Sequence, residues 1–188
     1  MPLSTPAPRE PIHCRQIECR GYRRADGLWD IEGHLVDTKS YGFMNRHRGE
    51  VKAGEPVHEM WLRLTVDADL LVHAAEAATD AGPYQVCPDI APRFGELKGL
   101  KIGPGWRRAI RERFGGIEGC THLVELLGPL ATTAYQTILP KRAWREAEAS
   151  GQRKPNFIDS CHALRSDGEV VRQQYPAFYR AAADSRRG

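Results

Sequence analysis

The stretch VHEMWLRLTVD, residues 57–67, decides the fold. Its even positions are His58, Met60, Leu62, Leu64 and Val66, and Glu59, Trp61, Arg63 and Thr65 fall between them. An apolar residue at every second position is the period of a strand with one buried face, not of a helix. His58 lies on that apolar face at the strand's end, where cavities open. It is a candidate general base, set against the commoner case of a core histidine with satisfied hydrogen bonds.

Reading outward from this strand, LWDIEGHLVD (28–37) alternates in the same way. Trp29, Ile31 and Leu35 share one face, and Asp30, Glu32 and His34 share the other. His34, beside two carboxylates, is a candidate substrate contact on a face that is otherwise solvated. IHCRQIECRGYRR (12–24) is a third alternating strand ending in an ADG turn. LLVHAAEAAT (70–79) is read as a fourth strand returning antiparallel, although its alanines also permit a helix. Between them, SYGFMNRHRGEVKAGEP (40–56) is glycine-rich and charged, which suits a long hairpin loop able to cover a site.

Beyond residue 82 the period changes. GWRRAIRERFGG (105–116) places Trp106, Ala109, Ile110 and Phe114 at helical spacing, with a glycine stop. CTHLVELLGPLATTAYQTI (120–138) is the expected central helix, capped by Thr121, with Leu123, Leu126, Leu127, Leu130 and Ala134 as its core stripe. Gly128–Pro129 should kink or split it. A charged helix (141–152) and a turn-rich segment (156–164) follow. The expectation is an α+β fold: an antiparallel sheet of about four strands in the N-terminal half, packed with a helical C-terminal half. Residues 1–11 form a proline-rich arm, 12–170 one domain, and 171–188 a polar helical tail.

On the central helix a second stripe runs through His122, Glu125, Pro129, Thr132 or Thr133, and Gln136. Residues 120–140 contain no lysine or arginine, so this stripe is expected to line a polar cavity rather than face water. The plainer alternative is a capping turn followed by a few satisfied polar groups. Cys120, at the helix start, could be a lowered-pKa thiol, but no independent base is assigned to it, so it is placed among the substrate contacts. Tyr84 follows the last strand, where its hydroxyl could hold a phenol or carbonyl, or its ring could cover the core.

Several classes are set aside. Five cysteines with no CxxC pair argue against a zinc ribbon or a disulfide framework. His122 and Glu125, with Cys120, Cys161 and His162, match no standard metal spacing, so neither a metal nor an organic cofactor is expected. GPGW (103–106) lacks the GK[ST] of a phosphate loop, and no GxGxxG, GxSxG or HExxH occurs. A net charge of +3 spread among acidic residues gives no basic stripe for nucleic acid. No apolar run approaches about 18 residues, and MPLSTPAPRE has no signal-like core, so a cytoplasmic protein without membrane contact is expected. Association into a homo-oligomer stays open.

GYRRADGLWDIEGHLVDTK, PVHEMWLRLTVD, GPYQVCP, GCTHLVELL, AYQT and DSCHAL together resemble the motif series of the bacterial family called domain of unknown function 2889, over residues 12–167. The positions inside those motifs are His34, Asp37, His58, Tyr84, Cys120, His122, Glu125, Gln136 and Cys161. The resemblance implies a setting in the breakdown of lignin-derived phenolics and a relation to lyases that release formaldehyde from phenolic side chains. The expectation is therefore a cofactor-independent carbon–carbon lyase with a small aromatic substrate. His58, His122 and Glu125 are its catalytic candidates. His34, Tyr84, Gln136 and Cys120 are its substrate contacts. A non-catalytic aromatic-binding protein and a metal-dependent enzyme are the alternatives.

Overall fold

The computed structural model describes residues 3–150, 154, 155 and 157–181, without the side chains of 139–150. Residues 3–11 carry no regular structure and are exposed. The four long strands are β1 (His13–Arg23), β2 (Trp29–Lys39), β5 (Pro56–Val66) and β6 (Val72–Ala81). They form one antiparallel sheet in the order β1-β2-β5-β6. The expected antiparallel sheet with a helical C-terminal half is what the chain adopts, and the alanine-rich segment is a strand.

The 40–56 segment is a hairpin, as its composition suggests. Its strands are β3 (Phe43–Asn45) and β4 (Gly49–Val51). The Asn45 side chain accepts the backbone N–H groups of His47 and Arg48, which closes the turn. Arg48 then donates to the Pro56 carbonyl and to Glu55, tying the hairpin to the start of β5. Between β6 and the helices, Cys87–Leu97 winds as a 3-10 segment that buries Phe94 and Leu97.

Two helices follow, α1 (Trp106–Phe114) and α2 (Thr121–Ser150). The sheet offers Ile31, Leu35, Met60, Leu62, Leu64, Val66 and Val72 to the core. Against them, α2 buries Leu123, Leu126, Leu127, Leu130 and Ala134, the stripe its spacing predicts. Two strand glycines make room for it. A Cβ at Gly33 would stand 3.2 Å from Leu130 and 3.3 Å from Leu126, and one at Gly21 would stand 2.0 Å from the Thr137 hydroxyl. So residues 121–138 of α2 lie along β1 and β2, with the first turn at the end of the sheet where β2 finishes and β5 begins.

Three expectations are corrected. Pro129 does not split α2, which is helical from Thr121 to Ser150. Proline removes one donor, and tolerance follows where the freed carbonyl meets water; both Gly128 and Pro129 are exposed. Thr121 is the first helical residue rather than the cap, since the Cys120 carbonyl takes the Val124 N–H. The helix predicted over the tail is short, α3 (Glu169–Gln174), and stops before Pro176 because the residue preceding a proline is pushed out of the helical region. Residues 182–188 of that tail lie outside the described residues.

By its internal contacts the chain divides into two compact units, Met1–Ile138 and Leu139–Gly188, a division inside the span 12–170 read above as one domain. The first carries the sheet, α1 and the first five turns of α2. In the second, Ile158 and Val171 are buried, and Phe157 meets Tyr175 edge-on.

Candidate functional site

The alternation of β2 continues past Leu35 to one more inward position, and that position is Asp37. Its side chain is 1% exposed, and with Thr65 it is one of two buried polar residues among those described. A carboxylate in such a place must be paired. Arg15, opposite Asp37 on β1, donates from Nε to Oδ1 and from Nη2 to Oδ2, each at 2.7 Å. His58, opposite it on β5, places Nδ1 at 3.0 Å from Oδ2. His13 brings Nε2 to 3.2 Å from Oδ1. One carboxylate thus stands at the centre of a row drawn from three neighbouring strands.

The first turn of α2 completes the group. His122 lies with its ring stacked on His58, centroids 3.9 Å apart and planes at 29°. Its Nε2 is 3.7 Å from Asp37 Oδ2. One turn on, Glu125 forms an ion pair with the remaining arm of Arg15. Cys120 sits behind His122, its Sγ 3.9 Å from His122 Nδ1 and 3.9 Å from Met60 Sδ. The two imidazoles are about one-fifth exposed, at 19% for His58 and 22% for His122, so a small molecule can reach them.

Electrostatics fix the protonation states. Burial holds His58 below the usual histidine range, and repulsion from His122 adds to this. Burial, then the Arg15 charge, does the same for His122. Burial by itself would raise the Asp37 carboxyl, but the Arg15 bonds and the neighbouring histidines carry it below the usual carboxylate range. Near neutral pH the group is therefore a charged Asp37–Arg15 pair supporting two neutral imidazoles. With Nδ1–H of His58 donated to Asp37, its Nε2 lone pair is free to accept a proton, a geometry shared by oriented histidine bases.

The predicted residues separate into two groups. His58, His122 and Cys120 come together, and Glu125 reaches them through Arg15. Glu125 is itself exposed, with Arg15 as its ion-pair partner. His34 is on the opposite face of the sheet, stacked on Trp61 at 3.5 Å and bonded to Glu59. Tyr84 is 59% exposed, with its ring edge-on to His47. Gln136 is exposed too, and fourteen residues along a helix place it roughly 21 Å from His122. The polar stripe of α2 therefore faces water beyond His122, and the lack of lysine there did not mark a cavity. Cys161 is exposed and belongs to the second unit, with His162.

His13 and Arg15 were missed, and Asp37 was not chosen. The signal lay in the alternation itself. An aspartate at the inward position after Ile31, Gly33 and Leu35 announces a buried charge and therefore a partner. Finding Arg15 and His13 required the β1–β2 register, which periodicity does not supply.

Among the described residues, one set of three can hold a metal: Asp37, His58 and His122, with one ligand atom from each, all within 4.8 Å of one another. No helix among the described residues is long and apolar enough to cross a membrane.

Fold and site define an α+β protein whose sheet ends in a histidine pair seated over a buried, arginine-bound carboxylate. The chain belongs to the family described as protein of unknown function DUF2889, whose sequence profile matches residues 13–136. That span contains every residue of the cluster. Neither a curated protein nor a solved structure matches the chain.

Proposed function

We propose that this protein is a small enzyme of aromatic catabolism that releases formaldehyde from a phenolic side chain by acid–base chemistry at His58 and His122. The observation that carries the reading is the stacked pair of neutral, accessible imidazoles over Asp37. Two bases in one place suit a reaction with two proton removals. The phenolic and formaldehyde parts of the reading come from the family resemblance.

In the first step one imidazole takes the phenolic proton. The oxygen's electron pair moves into the ring and expels a benzylic leaving group, which gives a quinone methide. In the second step the other imidazole takes the proton of an adjacent hydroxymethyl group. Its carbon–carbon bond breaks, formaldehyde leaves, and the bonding pair forms a side-chain double bond and restores the phenoxide. The imidazolium ions return protons to the leaving group and to the phenoxide. Asp37 holds His58 in the required tautomer and stabilises its charged form; Arg15 and Glu125 hold Asp37. Each positioned base contributes roughly 10²–10⁴ in rate, and confinement of the substrate against the pair has to supply the rest.

The test is incubation with phenolic dimers that carry both a benzylic leaving group and a hydroxymethyl group, following formaldehyde and product mass. Release that is lost in His58→Ala and in His122→Ala supports the reading. Thermal stabilisation by the same compounds with no product would instead identify a non-catalytic aromatic-binding protein.

A further inference from the structure

We infer that Asp37, His58 and His122 form a binding site for one divalent transition-metal ion of the zinc class. The ligand atoms are Asp37 Oδ2, His58 Nδ1 and His122 Nε2. From the carboxylate oxygen the two nitrogens stand at 3.0 Å and 3.7 Å. Zinc binds nitrogen at about 2.0–2.1 Å and oxygen at about 2.0–2.2 Å in a tetrahedron, which puts neighbouring ligand atoms roughly 3.3 Å apart. The two oxygen–nitrogen separations bracket that value and all three ligand atoms lie within 4.8 Å of one another, so the stacked rings, 3.9 Å between centroids, have to swing apart for both nitrogens to meet one ion.

Two imidazoles and one carboxylate form a ligand set suited to zinc and its neighbours, with further positions left open for water or a substrate oxygen. The three ligands are also held in place by the fold. Asp37 and His58 are register partners across β2 and β5, and His122 lies in the first turn of a helix packed closely on Gly33.

Arg15 is the obstacle, because it bonds both oxygens of Asp37. The ion needs only Oδ2. Arg15 can keep its Nε bond to Oδ1, and its other arm already has Glu125 as a partner. Formal charge favours entry as well: Asp37 and Glu125 against Arg15 leave one net negative charge around the site. Cys120 does not join, because its sulfur faces His122 Nδ1, the ring nitrogen turned away from Asp37.

An ion on His58 Nδ1 displaces the proton that Nδ1 shares with Asp37 and leaves it on Nε2, the nitrogen the acid–base reading uses, so this inference goes beyond that reading and is tested without a phenol. Chelator-stripped full-length protein is titrated with Zn²⁺ against a chromophoric competitor, and side-chain ¹⁵N spectra are followed with Zn²⁺ added. The expected result is one ion per chain at micromolar or lower concentration, at least tenfold weaker in His58→Ala and in His122→Ala and unchanged in Gln136→Ala. In the wild type, the imidazole nitrogens of His58 and His122 should shift while those of His73 stay put, a readout that needs no variant to fold. Absence of stoichiometric uptake, or uptake unaltered in both variants with His58 and His122 unshifted, overturns the site. Either outcome leaves the formaldehyde assay to be judged separately.

Discussion

Asp37 and His58 face each other across β2 and β5, with Nδ1 of the imidazole 3.0 Å from a carboxylate oxygen that is shut away from water. This contact orients the His58 ring, and on the proposed acid–base reading it leaves Nε2 as the base. Asp37→Asn keeps the shape but leaves the Arg15 guanidinium with Glu125 alone as its anion. Breaking a buried ion pair costs about 3–5 kcal/mol, and a partly exposed Arg15 reduces this to about 2–3 kcal/mol. Urea unfolding should report that loss, while an equal-stability variant would mean that the pair is not coupled to the fold.

The close approach of α2 to β1 predicts a specific rescue. In Gly21→Ala the new methyl meets Thr137, whose branched side chain is stiff and hydrogen-bonded to the Thr133 carbonyl. Overpacking of this kind costs about 1–3 kcal/mol. Thr137→Ala in the same chain should restore more than half of the lost melting temperature. Additive losses in the double variant would show that the helix lies elsewhere.

Asp67 sets a pH dependence away from the histidine cluster. Partial burial opposes its charge, but His73 and the backbone N–H groups of Asp69 and Leu71 hold its carboxyl below the usual range. A depressed folded value contributes stability above the unfolded pKa of about 3.9 and loses it as pH falls through the folded value. Stability should therefore drop on acidification below roughly pH 5, and Asp67→Asn should flatten part of that slope. An identical pH profile in the variant would remove Asp67 from the account.

Much of the fold could be read in advance because strand alternation and helical spacing are local. Three strands, the core stripe of α2 and the inward direction of His58 follow from period alone, while the alanine-rich 70–79 segment also permitted a helix. The site was only half readable for the same reason. His58 and His122 are visible by their faces, yet Asp37, Arg15 and His13 become a site only through strand pairing, which is long-range. The polar stripe to Gln136 misled because a helix face without lysine can still meet water.

That correction is testable. Tyr84→Phe and Gln136→Ala should leave turnover within about twofold of the wild type, the small effect expected of surface positions remote from the chemistry. A tenfold loss in either would return it to the site.

The most direct measurement is formaldehyde release from a phenolic dimer bearing a benzylic leaving group and a hydroxymethyl side chain, comparing the wild type with folded His58→Ala and His122→Ala. The account predicts one formaldehyde per turnover in the wild type and a loss of about 10²-fold or more in each variant. Formaldehyde produced at the wild-type rate by both variants, or none from any such dimer with the wild type, would contradict it.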